Sequence, residues 1–140
     1  MPAAAAVVEG IYERGLDHYH GQNGAPQNYE ESARLSRLAA ERGHAMAQVL
    51  LGEMYRNGQG VEQSFEEAAR LYRLAADSGN AEAQYTLALL YYHGRGFEQS
   101  FEEAARLYRL AAESGHANAQ YNLAILYKNG QGVEQSFEEA

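Results

Sequence analysis

The chain has 140 residues, a mass of 15.5 kDa and a formal net charge of −8, with 46% apolar and 21% charged residues. That is enough chain to bury the core of one domain, and its negative charge opposes nucleic acid or an anionic membrane surface as the main partner. The absence of cysteine rules out disulfides, thiolate zinc sites and a cysteine nucleophile.

The first predicted helix covers residues 4–20. Its start, MPAAAAVVEG, has no basic flank and no long apolar run, so it does not read as a secretory leader. No stretch of the chain approaches the roughly 20 apolar residues that span a bilayer, and a soluble, cytoplasmic protein is expected. A second helix is predicted at 28–42, followed by helices at 45–57, 64–78, 81–93, 100–114 and 117–129.

From the third helix on, the sequence repeats itself. Gly43, Gly79 and Gly115 fall into register, as do Gln48, Gln84 and Gln120, and the twelve residues NGQGVEQSFEEA occur at both 57–68 and 129–140. A period of this length marks a stack of helical units. In SFEEAARLYRLAADSG, Phe65, Ala68, Ala69, Leu71, Tyr72, Ala75 and Ala76 recur at i, i+3, i+4 and i+7, which gathers them on one helix face. Ser64 with Glu67 reads as a capping box and Gly79 as a left-handed stop. Asn80, His44 and His116 are expected to cap the helices that follow them.

The first unit is degenerate. Tyr19, Gly24, Gln27 and Tyr29 keep the register of 36 residues, in which Gly15-Leu16 replaces Leu51-Gly52. Repeat units are expected at about 8–43, 44–79, 80–115 and 116–140, the last of them partial. Helices this short are marginal alone. Stacking is expected to stabilise them as an all-α, right-handed α-solenoid of antiparallel helix pairs, about three and a half repeats long. The chain ends five residues after Gln135, so helix 117–129 is expected to expose apolar surface.

The residue types that could carry chemistry have structural explanations. Gly58-x-Gly60 lacks the preceding strand and the following Lys-Ser/Thr of a phosphate loop and reads as a turn. His18 and His20 are two apart and leave a helix on different faces. The pairs Glu66-Glu67, Glu102-Glu103 and Glu138-Glu139 stand at helix N-termini, where the helix dipole favours negative charge. Neither enzymatic activity nor a cofactor nor a metal site is expected.

The run AEAQYTLALLYYHGRGFEQSFEEAARLYRLAAESG resembles the Sel-one-like repeat, a branch of the tetratricopeptide superfamily, and the resemblance extends from about residue 10 to residue 140. It implies an adaptor that holds other proteins. It also implies that one face of the first helix in each pair lines a concave groove. In the 36-residue register that face reads Glu13, Asp17 and His20, then Val49, Glu53 and Arg56, then Tyr85, Leu89 and Tyr92, then Tyr121, Ile125 and Lys128. The expected partner is a protein segment with a basic patch followed by apolar anchors. Two alternatives stay open: these residues only pack neighbouring repeats together, or the chain is a self-associating structural module or an idealised repeat with no dedicated ligand.

Overall fold

The computed structural model describes residues 2–132. They form α1 (Pro2–His20), α2 (Tyr29–Glu41), α3 (Ala45–Asn57), α4 (Phe65–Asp77), α5 (Ala81–His93), α6 (Phe101–Glu113) and α7 (Ala117–Asn129), and no strand occurs among the described residues. Each helix begins and ends within two residues of its predicted bounds.

The caps explain that agreement. Ser64 Oγ accepts the Glu67 amide and Ser100 Oγ the Glu103 amide, both at 3.1 Å. Asn80 caps α5 through the Ala83 amide at 2.8 Å. The two histidines also cap: Nδ1 of His44 accepts from Ala47 N at 3.1 Å, and Nδ1 of His116 from Ala119 N at 3.2 Å. Each such bond satisfies a donor that the first turn cannot pair internally, worth about 1 kcal/mol. At the other end, Gly58, Gly94 and Gly130 close α3, α5 and α7 in the left-handed conformation.

The chain forms two compact units, Met1–Ala75 and Ala76–Ala140. In the first, α1 packs on α2 and α2 on α3. Its core gathers Ala33, Ala39 and Ala40 of α2, Ala47, Leu50, Leu51 and Met54 of α3, and Leu71 of α4. Alanine on facing helices allows close approach, and each buried leucine contributes roughly 2 kcal/mol of transfer free energy. Within the second helical hairpin, Gly52 makes room for a fully buried Tyr72, whose ring lies 2.7 Å from where a Cβ on Gly52 would be. Gly15 faces Ser36 in the first hairpin in the same way.

In the second unit α5 packs on α6 and α6 on α7. Leu87, Leu90, Leu107, Tyr108, Ala111 and Leu126 are buried. Gln84 Nε2 donates to Ala76 O at 3.3 Å, as Gln48 does to Ala40 O in the first unit and Gln120 to Ala112 O. This recurring glutamine therefore ties the start of each first helix to the end of the preceding second helix. In α7 the buried residues are Ala119 and Leu126, and Tyr121 is 67% exposed.

Candidate partner-binding face

The true register of the first repeat comes from a hydrogen bond. After α1, α3 and α5 a glutamine amide folds back onto a main-chain carbonyl: Gln27 on Tyr19 O at 3.2 Å, Gln63 on Arg56 O at 2.7 Å, and Gln99 on Tyr92 O at 2.8 Å. Tyr19, Arg56 and Tyr92 are therefore equivalent. The loop of residues 21–28 holds one residue more than that of residues 58–64, and Asn23 takes a positive φ of 54° within it.

This extra residue corrects the expected groove row. The positions opposite Tyr85, Leu89 and Tyr92 in α1 are Tyr12, Leu16 and Tyr19, not Glu13, Asp17 and His20. Glu13 and Asp17 instead match Leu50 and Met54, core residues of α3. Asp17 accepts side-chain hydrogen bonds from Gln22 at 3.3 Å and Asn23 at 2.9 Å, holding the longer loop. It lines a cavity of about 460 Å³ with Arg14, His18, Pro26 and Arg34. In that cavity Arg34 grips Glu31 and holds its carboxyl below the usual range.

In the corrected register α1 and α5 are near copies. Glu9, Tyr12, Leu16, Tyr19 and His20 recur as Glu82, Tyr85, Leu89, Tyr92 and His93, and His44 recurs as His116. Their geometry repeats too. His44 Nε2 lies 2.5 Å from Glu9 Oε2 and His116 Nε2 2.7 Å from Glu82 Oε2. Tyr12 stacks on His44, and Tyr85 on His116, each with centroids 4.5 Å apart and planes 26° from parallel. Because Nδ1 of each imidazole accepts a backbone amide, Nε2 carries the proton and donates to the carboxylate. One side chain thus caps its own helix and clamps the previous first helix. Burial, reinforced by Glu9, raises the Tyr12 pKa above the ordinary tyrosine value.

The clamp divides the predicted site residues by role. Tyr85 is half-buried, held between His116 and Tyr108 at centroid distances of 4.5 and 5.9 Å. Tyr121, at the equivalent position in α7, is exposed. Tyr85→Ala is expected to cost about 1.5 kcal/mol in chemical denaturation, and Tyr121→Ala less than about 0.5. Equal losses at the two positions would contradict this division. Val49 is 4% exposed and offers little surface to a partner.

Leu89, Tyr92 and Ile125 remain half-buried and outside the core. With His93, Tyr108 and Asn122 they surround a cleft of about 220 Å³ between α5 and α7. The Asn122 side chain bonds the Tyr108 hydroxyl, and burial pushes the Tyr108 pKa up to about 12, with smaller upward contributions from Tyr85 and Tyr92. Tyr92 also packs against Phe101, with centroids 5.2 Å apart, which fixes one wall. Lys128 stands exposed one turn beyond Ile125, while Glu53 and Arg56 of α3 are half-buried in the other unit. Three lining residues, His93, Tyr108 and Asn122, were not among the predicted site residues. Tyr108 reads as core from its helical spacing, and Asn122 stands where the earlier repeats carry Thr86 and Leu50.

Comparison with known proteins follows the same segmentation. The Sel1 repeat family model matches residues 8–44, 45–80, 81–116 and 117–140, so its first segment also carries the additional residue. The structure is similar to that of c5321, a protective antigen present in uropathogenic Escherichia coli strains and displaying an SLR fold, with a TM-score of 0.91 and 32% identity over 98% of this chain and 29% of that one. A Sel1 repeat protein from Oxalobacter formigenes is similar at a TM-score of 0.88 and 32% identity, over 97% of this chain and 56% of that one. Helicobacter pylori cysteine rich protein B shares the fold at a TM-score of 0.70 and 20% identity, over 87% of this chain and 93% of its own. This chain thus spans 29% and 56% of the length of its first two structural relatives. No curated protein sequence matches it. The expected class, an all-α solenoid of helical repeats, agrees with both the family match and the shared folds.

Proposed function

Since the chain belongs to the Sel1 repeat family, whose members are generally non-catalytic protein-interaction scaffolds, we propose that it holds a protein partner against the first helices of its repeats. Among the described residues no helix is long and apolar enough to cross a membrane.

The observation that carries this reading is the cleft at Leu89, Tyr92 and Ile125. These three apolar side chains lie half-buried around open space instead of closing it. Tyrosine and aliphatic side chains fixed by their neighbours make good anchors, because little conformational entropy remains to be lost on binding. In the second unit the groove residues of this reading are Leu89, Tyr92, Ile125 and Lys128, with Tyr85 as their support, and the equivalent positions of the first unit are Leu16, Tyr19, Glu53 and Arg56.

Affinity capture with the wild-type chain and with Leu89→Glu, compared quantitatively, tests the proposal. Proteins that the wild type retains and the variant loses, at unchanged helicity, support it. Identical retained sets would remove the cleft from the function.

A second reading has its own observation. The exposed Tyr121 and the small buried set of α7 favour contact with another copy of the chain through that helix. Light scattering that gives one monomer mass at every concentration would exclude it.

A further inference from the structure

The expectation of a basic partner came from Glu13 and Asp17, which lie outside the row that Leu89 and Tyr92 define. In the corrected register, successive first helices carry Tyr19, Arg56, Tyr92 and Lys128 at one position. Aromatic and cationic side chains alternate there. The position preceding it in the row holds Leu16, Glu53, Leu89 and Ile125, so Glu53 is the row's one carboxylate. In the second unit the row's cation, Lys128, stands exposed one turn beyond Ile125, which lines the apolar cleft of this chain of net charge −8.

A second observation concerns Arg56. Its Nε is buried and has no acceptor among the described residues. A buried guanidinium N–H left unpaired costs more than a typical hydrogen bond contributes, and a carboxylate is its best acceptor. The cleft of about 220 Å³ in the other unit is of a size for one large apolar side chain. Ile125 and Lys128 stand one turn apart on α7, and with the reach of the lysine side chain about three residues of extended chain separate an apolar group in the cleft from a carboxylate at the ammonium.

Resting on the scaffold reading above, we infer that the second unit binds an extended protein segment whose apolar side chain enters the cleft at Leu89, Tyr92 and Ile125 while a carboxylate about three residues away meets Lys128. In the first unit Arg56 stands at the position equivalent to Lys128, beside Leu16 and Tyr19, but Glu53 replaces Ile125 there.

The probes are three end-capped, dye-labelled peptides, Asp-Ala-Ala-Phe-Ala-Ala-Asp and its Asn and Lys analogues, titrated into the full chain at low salt. The Asp peptide is expected to bind about tenfold more tightly than the Lys peptide, with the Asn peptide between them. In the double variant Arg56→Gln and Lys128→Gln, the preference should shrink to within about threefold, with the circular dichroism unchanged. Equal affinities for all three peptides, or a preference for Lys, overturn the inference and leave the scaffold reading standing. No binding of any peptide, alongside capture that still depends on Leu89, overturns the inference alone; no binding in either assay removes both.

Discussion

Gly60→Ala is expected to destabilise the protein by about 3 kcal/mol, far more than a typical surface substitution. Two costs add. Gly60 has a φ of 72°, where any Cβ is strained. That Cβ would also lie 2.4 Å from the Tyr29 carbonyl carbon and oxygen and 2.8 Å from Glu30 N, which are backbone atoms of the first turn of α2. A side-chain neighbour could rotate away, but a helix terminus cannot. Gly43→Ala separates the two costs, because Gly43 has a φ of 84° and nothing within 4 Å of its would-be Cβ. It should lose about 1 kcal/mol. Urea denaturation of both variants tests the difference, and equal losses would mean that the loop after α3 is not seated on α2. The Gly-x-Gly signature thus has two jobs. Its first glycine ends a helix, and its second lets the loop touch the preceding helical hairpin. Gly132 does the same against Phe101 in the other unit.

The helices and their caps were legible because they are local. Ser64 and Glu67, Asn80 and Ala83, and His44 and Ala47 are each three residues apart, and short-range sterics decide them. The register of α1 was not. A glycine-rich loop absorbs an extra residue wherever a positive φ is tolerated, as at Asn23, and its mark lies upstream in α1, where Tyr19-His20-Gly21 aligns with Tyr92-His93-Gly94 only if one residue is skipped. The 36-residue alignment continued through the loop into α1, and Glu13 and Asp17 took the places of Tyr12 and Leu16. The Glu9–His44 contact was also hidden, because its partners are 35 residues apart. Once the register is right, the copy at Glu82 and His116 makes both clamps readable as a pattern: repeats one and three are alike, while the aligned residues of repeat two are Met46, Val49 and Asn80. The compact units each begin with one helix of the tyrosine-rich kind.

The second large effect is expected at alkaline pH and comes from Tyr108. Its side chain is 1% exposed, and burial, opposed only by the hydrogen bond to Asn122, raises its pKa from 10.0 to about 12. A tyrosine is neutral when protonated, so a raised folded-state pKa means that the folded chain keeps a proton that the unfolded chain releases. Below about pH 10 both states hold it, and there is no effect. Between about pH 10 and 12 the unfolded state gains by ionising and stability falls, by about 2 kcal/mol at about pH 11.5. Unfolding free energies at about pH 9 and 11.5 measure the loss, and Tyr108→Phe, which keeps the ring but cannot ionise, should lose about 2 kcal/mol less over that interval than the wild type. The other tyrosines are present in both proteins, so the difference reports the removal of this one hydroxyl. The same hydroxyl lines the cleft between α5 and α7. A ligand that covers the cleft dries Tyr108 further and should move the loss to higher pH. An unchanged difference between wild type and Tyr108→Phe across this range would show that the hydroxyl stays in contact with water and that the cleft is wider than the structure makes it.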